Sequence, residues 1–291
     1  MPALAGALTL RGALDAATAT LAAAGIATPR VDAEWLLAAV LGEGRFAAQL
    51  DPDRTPDSPL AAAYRAAVGR RARREPLQRI LGWEGFRGLR IRLTDDVLVP
   101  RPETELLAEW ALELLPRPAP GRGRLAVDVG AGSGCIACAL AAERPDLDVV
   151  ATDVSPAAAT VARGNAAALG LGARVRVLVA DLLEGVGAAR ADLVVSNPPY
   201  GSSAFLAGLE VEVSRHEPRA AIDGGSDGLA LIRRLVVAAP ARLRASGALV
   251  LETAGAVQAG DAARLMRAAG FAGVATRADL TGVERFVAGR A

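Results

Sequence analysis

The chain contains no lysine, one histidine and two cysteines, so all 33 of its basic side chains are arginines. A single histidine argues against a metal site built from several histidines, and two cysteines exclude a disulfide framework. The 33 basic side chains are balanced by 32 acidic ones, which leaves a net charge of +1. This balance argues against nucleic-acid binding driven mainly by charge.

Aromatic residues make up only 3% of the chain, and no apolar run is long and uncharged enough to span a bilayer. The first residues lack a basic segment followed by an apolar one, and Arg11 interrupts the first apolar stretch. We therefore expect a cytoplasmic protein. Hydrophobic residues account for 52% of the chain, enough for a sizeable core.

Residues 1–76 have helical patterning and no strand pattern. Thr28-Pro29 and Ser58-Pro59 each place a capping hydroxyl before a proline, which is typical of a helix start. The second of these helices ends in an arginine run: Arg70, Arg71, Arg73 and Arg74. Such a run most simply forms a solvated helix face, and the alternative is a surface that docks a partner. We predict a small all-helical domain over 1–76.

The pattern changes after Pro76. Residues from Trp83 to Arg92 alternate between polar and apolar, which predicts a β-hairpin. A helix is expected from Pro102, because proline suits the first helical position and acidic residues follow it in the first turn. We expect a hairpin linker over 77–102 and a second domain over 103–291.

From Leu125 onward, short apolar runs alternate with helical segments. This alternation predicts parallel strands with right-handed crossovers, and hence an α/β fold. A strand that ends at Val129 leads into a glycine loop, which consists of Gly130, Ala131, Gly132, Ser133 and Gly134. Glycines at alternate positions let the backbone bend tightly and approach a ligand at a helix N-terminus.

Acidic residues follow the next two predicted strands. Asp153 ends the strand 149–153, where a carboxylate can accept hydrogen bonds from both hydroxyls of a ribose. Asp181 and Leu182 follow the strand 175–179, where an acid can accept a hydrogen bond from the amine of adenine. Because the carboxyl ends of parallel strands meet at one edge of a sheet, we expect these residues to lie near the glycine loop.

The loop spacing separates two classes of enzyme. Nicotinamide-dependent oxidoreductases use G-x-G-x-x-G, but Cys135 stands where the third glycine would be needed. The spacing instead fits methyltransferases that use S-adenosylmethionine. Cys135 and Cys138 have the spacing of a redox pair, yet they fall in a helix predicted to be buried, which favours a core role. His216 is expected to form hydrogen bonds in a loop and not to act in catalysis.

The segment from Asp192 to Tyr200 is a short apolar strand that ends in Asn-Pro-Pro-Tyr. Its two prolines remove two backbone donors and keep the chain extended. The side-chain amide of Asn197 and a prolyl carbonyl can together accept both hydrogens of a planar –NH₂ group, and the Tyr200 ring can stack on that group. A proline-rich turn with a tyrosine at its rim is the alternative. Together with the glycine loop, the segment favours methyl transfer to an amide or exocyclic amine nitrogen.

In these motifs the chain resembles the PrmC/HemK family of protein-(glutamine-N5) methyltransferases. The Val-Pro-Arg-Pro-Glu-Thr-Glu block at 99–105 is far more specific than Asn-Pro-Pro-Tyr alone. Gly201 stands where the family usually has an apolar residue. The matching segments run in order through most of the chain: 76–82, 97–105, 130–134, 197–200, 217–219 and 223–228.

The resemblance implies a helical domain at 1–76 that binds the release factor, a hairpin linker at 77–102, and a methyltransferase domain at 103–291. That domain would be Rossmann-like, with seven strands and an antiparallel last strand. The methyl donor would be S-adenosyl-L-methionine and the product S-adenosyl-L-homocysteine. The substrate would be the Gln of the Gly-Gly-Gln motif in class 1 peptide chain release factors.

The resemblance also implies the site residues. Cofactor contacts are expected at Gly130, Ala131, Gly132, Ser133, Gly134, Asp153, Asp181, Leu182 and Asn197. The catalytic residues would be Asn197, Pro198, Pro199 and Tyr200. We expect no metal, no membrane and no direct nucleic-acid substrate.

Two alternatives share the same site chemistry. A glutamine methyltransferase of a ribosomal protein is the first. An adenine-N6 DNA methyltransferase is the second, because it also presents an –NH₂ group on a planar ring. It would need base flipping and basic channel walls, which the neutral charge and the scarcity of aromatics disfavour. A binding module without catalysis is disfavoured by the complete set of cofactor residues.

Overall fold

A computed structural model of the chain describes residues 9–117, 123–188 and 190–291. They form two compact units. One extends up to Trp83 and includes Val211–His216, and the other consists of Glu84–Glu210 and Glu217–Ala291. The helical domain expected at 1–76 therefore begins with eight residues, 1–8, that lie outside the described residues. Within the described ranges, no helix has the length and apolar character needed to cross a membrane.

Helices occupy most of residues 10–81 and alternate with strands from Arg124 onward. The helices are α1 (Leu10–Ala23), α2 (Pro29–Leu41), α3 (Ala47–Leu50), α4 (Ser58–Ala72), α5 (Leu77–Leu81), α6 (Pro102–Leu114), α7 (Cys135–Glu143), α8 (Pro156–Ala168), α9 (Ser203–Ala207), α10 (Val211–His216), α11 (Ala230–Ala238) and α12 (Ala256–Ala268). The strands are β1 (Trp83–Phe86), β2 (Leu89–Arg92), β3 (Arg124–Val129), β4 (Leu147–Asp153), β5 (Val175–Val179), β6 (Ala191–Ser196), β7 (Leu243–Glu252), β8 (Ala272–Ala278) and β9 (Glu284–Arg290).

In the first unit, leucines of α1 and α2 form a buried core with Tyr64 and Val68 of α4. The sequence predicts that Ser58 caps α4, but this is wrong: the cap is Asp57, whose carboxylate accepts the backbone N–H of Leu60 at 2.9 Å. Thr28 precedes α2 as predicted, but its hydroxyl donates to Asp32 at 2.8 Å and does not cap the backbone.

Two arginines of the predicted arginine run form ion pairs inside the first unit. Arg71 is buried, and it donates to Asp32 at 2.7 Å and to Glu212 at 3.3 Å. Arg74 donates to the other oxygen of Glu212 at 2.8 Å. The prediction of a solvated helix face is therefore wrong for Arg71. These charge-assisted hydrogen bonds join α10 to α4 and to the turn that follows α4, more than a hundred residues earlier in the chain.

The second unit contains a sheet of seven strands in the order β5-β4-β3-β6-β7-β9-β8. Neighbours from β5 to β7 are parallel, whereas β9 is antiparallel to both β7 and β8. Helices α6, α7 and α8 pack on one face, and α11 and α12 pack on the other. This confirms the predicted Rossmann-like fold with an antiparallel last strand.

Two boundaries in this unit differ from the apolar pattern of the sequence, which predicts a helix over 229–243 and a strand over 248–252. The helix expected over 229–243 ends at Ala238, because Pro240 cannot continue a helix. Strand β7 then begins at Leu243, although its apolar run starts only at Ala248. The hairpin expected between Trp83 and Arg92 is present as β1 and β2.

Candidate active site

The strand register brings the predicted site residues to one edge of the sheet. Val129 at the end of β3 is paired with Thr152 of β4 and with Ser196 of β6. Ser196 is in turn paired with Leu251 of β7. The residues that come next along these four strands therefore lie side by side at this edge: Gly130, Asp153, Asn197 and Glu252.

The glycine loop turns between β3 and α7 with positive φ angles of 74°, 52° and 77° at its three glycines. The N–H groups of Gly130 and Ala131 donate to the carbonyl of Thr152 at 2.8 and 2.9 Å, which fixes the start of the loop. A Cβ added to Gly130 or Gly132 would meet no heavy atom within 4 Å, whereas one on Gly134 would lie 3.0 Å from the Cβ of Ala162. The first two glycines thus leave room for a ligand, and the third allows α8 to pack closely.

Asp153 lies beside this loop and joins it to the start of α8. Its Oδ2 accepts the N–H of Gly132 at 2.8 Å, and its Oδ1 accepts the N–H of Ser155 at 2.9 Å. Ser155 caps α8 by accepting the N–H of Ala158. Each carboxylate oxygen has further lone pairs, so both can still accept from ribose hydroxyls.

Asp181 and Leu182 follow β5 at the same edge. The Asp181 carboxylate accepts a hydrogen bond from Arg234 of α11 at 2.6 Å, which the sequence did not reveal. Leu182 has a φ of 49°, and its carbonyl accepts the hydroxyl of Thr152 at 2.7 Å. An adenine amine at this position would therefore share Asp181 with Arg234.

Asp128 is a buried acid beneath the glycine loop that sequence reasoning missed. Its Oδ2 accepts the N–H of Ala137 at 3.0 Å, while no described residue donates to its Oδ1. Burial raises the pKa of Asp128 to about 7, and the Ala137 amide partly opposes this shift. The signal was available, because Asp128 is an acid between two valines of a buried strand.

Asn197 follows β6 and is half-buried. Its Nδ2 donates to Oγ1 of Thr104 at 3.0 Å, which turns Oδ1 away from that hydroxyl. Among the described residues, none donates to Oδ1 of Asn197 or to the carbonyl of Pro198. The two acceptors that the sequence predicted for an –NH₂ group are therefore both available.

The segment 223–228 packs directly on the backbone of Pro199 and Tyr200. A Cβ on Gly224 would lie 2.6 Å from the Pro199 carbonyl oxygen, so only glycine allows this contact. Gln258 of α12 donates to the Tyr200 carbonyl at 3.1 Å. A Cβ on Gly201 would lie 2.6 Å from the carbonyl oxygen of Ile222. This close approach explains why position 201 is a glycine here, where the PrmC/HemK family usually has an apolar residue.

Thr104 and Glu252 connect Asn197 to Tyr200, and the sequence analysis assigned a role to neither. The hydroxyl of Thr104, in the first turn of α6, donates to Oε2 of Glu252 at 2.9 Å. The Tyr200 hydroxyl donates to Oε1 of Glu252 at 3.4 Å. Burial raises the pKa of Glu252 to about 7 and also raises the pKa of Tyr200. Two signals were available: Thr104 lies in the 99–105 block, and Glu252 ends a strand at the ligand edge.

Comparison with known proteins identifies the family. The chain matches the models described as the PrmC N-terminal domain, over residues 12–82, and the methyltransferase small domain, over residues 104–209. It is 43% identical over 282 residues to the release factor glutamine methyltransferase of Geobacter sulfurreducens, covering 97% of this chain and 96% of the relative. It is 44% identical over 284 residues to that of Mycolicibacterium smegmatis, covering 96% of each. The chain belongs to the release factor glutamine methyltransferase family.

Membership in this family makes the chain a methyltransferase that depends on S-adenosylmethionine and modifies protein. Its fold is similar to that of the hMettl16 catalytic domain solved in complex with MAT2A 3'UTR hairpin 6. The TM-score is 0.56 at 17% identity, covering 82% of this chain and 84% of the other. At that identity the likeness concerns the fold alone.

The two cysteines and the histidine of this methyltransferase lie either in the protein core or outside the active site. Cys135 and Cys138 are buried, and burial raises the pKa of both thiols to about 12, which disfavours the reactive thiolate. The loop position predicted for His216 is wrong, because His216 is the last residue of α10, which belongs to the first unit. Over the described ranges, no group of three or more His, Cys, Asp or Glu could hold a metal ion.

Proposed function

We propose that this methyltransferase modifies the side-chain amide nitrogen, N5, of the Gln in the Gly-Gly-Gln motif of class 1 peptide chain release factors. The product of the donor is S-adenosyl-L-homocysteine. The names of its relatives support a release factor as the substrate. The observation that carries the proposal is the pair of available acceptors, Oδ1 of Asn197 and the carbonyl of Pro198, on consecutive residues at the ligand edge of the sheet.

An amide nitrogen is a weak nucleophile because its lone pair is delocalised into the carbonyl group. Two acceptors that bind both N–H groups fix the plane of the substrate amide and aim its nitrogen. Pro199 and the ring of Tyr200 would flank that plane. Alignment of this kind contributes up to about 7–11 kcal/mol in ideal cases. When bound, S-adenosyl-L-methionine supplies an activated methyl group with a good leaving group.

The structure has features that fit this cofactor. Gly130 and Gly132 face open space at the N-terminus of α7, and Oδ1 of Asp128 is a buried acceptor that receives no hydrogen bond from a described residue. We propose that the cofactor is held by the sequence-predicted residues: Gly130, Ala131, Gly132, Ser133, Gly134, Asp153, Asp181, Leu182 and Asn197.

Replacing Asp153 by alanine should weaken cofactor binding. The ribose hydroxyls would lose a charge-assisted partner worth about 1.5–3 kcal/mol, which corresponds to a rise in Kd of about 10–150-fold. The N–H of Gly132 would also lose its acceptor, so the loop would be less ordered. Titration calorimetry with S-adenosyl-L-methionine measures the effect.

Asp148 offers a matched control for this experiment. It is exposed and lies in the same strand, β4, away from the ligand edge. Asp148→Ala should bind the cofactor like the unaltered protein. Equal affinity for Asp153→Ala and Asp148→Ala would remove Asp153 from the cofactor site.

We also propose the division of labour along the chain. Residues 1–76 would bind the release factor, and residues 77–102 would form a hairpin linker. Residues 103–291 would carry out catalysis, and the protein would act in the cytoplasm. The match of residues 12–82 to the PrmC N-terminal domain supports a separate role for the helical part. Every residue proposed here to fit or contact the cofactor or the substrate amide lies between Asp128 and Tyr200, outside the helical part.

The substrate is tested by transfer of a labelled methyl group from S-adenosyl-L-methionine. Separate reactions contain a class 1 release factor, the same factor with its Gly-Gly-Gln glutamine replaced by alanine, a ribosomal protein fraction and duplex DNA. Label should enter only the unaltered release factor, and peptide mass analysis should place one added methyl on that glutamine. Label in the ribosomal fraction or in the DNA, and not in the release factor, would overturn the proposal.

A further inference from the structure

Glu252 is a buried carboxylate at the active site for which methyl transfer, as described above, has no use. Its side chain is 1% exposed, yet each of its oxygens accepts a hydrogen bond from a different side of the site. Thr104 of α6 donates to Oε2 at 2.9 Å, and Tyr200 donates to Oε1 at 3.4 Å. A buried carboxylate is costly in free energy, so its presence here calls for a functional reason.

The hydrogen bonds of Thr104 have a fixed direction. A threonine hydroxyl has one proton, and Thr104 donates it to Oε2 of Glu252, which accepts as long as that oxygen carries no proton. The same hydroxyl can then only accept from its other neighbour, Asn197. That requires the Nδ2 end of the Asn197 amide to face Thr104, as observed at 3.0 Å. Oδ1 consequently faces the other way.

We propose that Thr104 and Glu252 are positioning residues that orient the Asn197 amide, so that Oδ1 and not Nδ2 meets the substrate amide. The inference rests on the proposed function, because a substrate with two N–H groups needs an acceptor at this place. Glu252 also accepts a hydrogen bond from the Tyr200 hydroxyl and so orients that side chain. One carboxylate thereby fixes both side chains of the Asn-Pro-Pro-Tyr segment that contact the substrate.

The charge on Glu252 sets the direction of the whole chain of hydrogen bonds. If Glu252 gains a proton on Oε2, it donates to Thr104, and the Thr104 hydroxyl is released to donate to Asn197. Asn197 would then have to present Oδ1 to Thr104 and Nδ2 to the substrate. The N–H groups of Asn197 Nδ2 and of the substrate amide would then face each other with no acceptor between them. The substrate amide would therefore not be held.

The groups around Glu252 place this switch near neutral pH. Arg285 of β9 favours the ionised form, Glu103 of α6 opposes it, and the hydrogen bonds from Thr104 and Tyr200 favour it. Burial is the largest influence and raises the pKa of Glu252 to about 7. We therefore expect the rate of methyl transfer to decline as pH falls through about 7, with the pH dependence of a single titrating group.

The test compares single-turnover rates of full-length variants on the release factor. Thr104→Val removes the hydroxyl at constant shape and should slow transfer by about 100-fold, as expected for a misplaced reacting group. Thr104→Ser restores the hydroxyl and should recover most of the rate. Thr160→Val serves as a control, because Thr160 is an exposed threonine of α8 whose hydroxyl donates to the backbone carbonyl of Pro156. It should leave the rate unchanged.

The pH profile separates positioning from general support of the fold. Glu252→Gln cannot ionise, so its rate should be lower than that of the unaltered protein at pH 8 and should not decline between pH 8 and pH 6. Cofactor binding by calorimetry confirms that each variant is folded. Equal transfer rates for Thr104→Val and Thr104→Ser would overturn the inference. So would a transfer rate of Glu252→Gln that declines between pH 8 and pH 6 as it does in the unaltered protein.

These outcomes are distinct from failure of the proposed function. If the unaltered protein transfers no methyl group to the release factor, the substrate proposal fails. If it does transfer, but the Thr104 and Glu252 variants match it at every pH, only the positioning role fails. Should Thr104→Val not fold, the Glu252→Gln profile still decides between the two.

Discussion

Asn197→Ala should reduce the single-turnover rate of methyl transfer by about 10²–10³-fold, the usual effect of removing one positioned hydrogen-bonding group from an active site. The substrate amide would keep only the Pro198 carbonyl, so its nitrogen would no longer be aimed. Binding of S-adenosyl-L-methionine should change much less, because the glycine loop and Asp153 remain. Rapid-quench transfer and calorimetry on the same preparation measure both quantities.

Asn197→Asp provides the isosteric comparison, and the structure predicts that it is also poor. Thr104 has one hydroxyl proton and would face two carboxylates, Asp at 197 and Glu252. Like charges this close favour protonation of one partner, which disturbs the arrangement that orients the amide. A single-turnover rate for Asn197→Ala equal to that of the unaltered protein would show that the proposed role is wrong.

Deletion of residues 1–76 should lower kcat/KM on a whole release factor by at least about 30-fold, as expected when a docking surface with a strong contact of about 2 kcal/mol is lost. A short Gly-Gly-Gln peptide cannot reach a separate docking domain, so kcat/KM on the peptide should fall much less. Cofactor affinity should persist. The comparison of the two substrates is the measurement.

The structure shows how this deletion must be controlled. Glu212 belongs to the first unit and loses both Arg71 and Arg74 when residues 1–76 are removed. The shortened chain should therefore carry Glu212→Gln, and full-length Glu212→Gln is its matched control. Cofactor calorimetry must first show that the shortened chain is folded. Equal losses on protein and peptide would mean that the helical part supports the active site and does not recognise the partner.

Most of the fold could be predicted because local patterns determine it. The alternation of apolar runs, glycines and helix starts gave the parallel order of elements from β3 to α8. Predictions failed where a decision depended on one neighbouring side chain or on tertiary contacts. Asp57 caps α4 one residue before the predicted cap. The first residues of β7 include Arg244 and Ser246, so their polarity hides a strand that pairing with β6 creates.

The site was predicted as far as its residues are contiguous in sequence. The glycine loop and the Asn-Pro-Pro-Tyr segment carry their own spacing signals. The contact between Thr104 and Glu252 does not, because 148 positions separate them and they meet only where α6 packs against β7. The pairing of Asp181 with Arg234 of α11 was hidden for the same reason, at a separation of 53 positions.

The two buried carboxyls described above, Asp128 and Glu252, also affect how the fold responds to pH. Burial raises both pKa values to about 7, so the folded chain binds these protons more tightly than the unfolded chain does. Their contribution to the free energy of unfolding is complete below the unfolded pKa values and is lost as pH rises through 7, at about 1.4 kcal/mol for each unit of pKa shift. Urea unfolding at pH 5.5 and pH 8 should show this loss, reduced in Glu252→Gln. Ionised Glu252, which the proposed chemistry needs, is thus the form that weakens the fold, so the optimum of activity should lie above the optimum of stability.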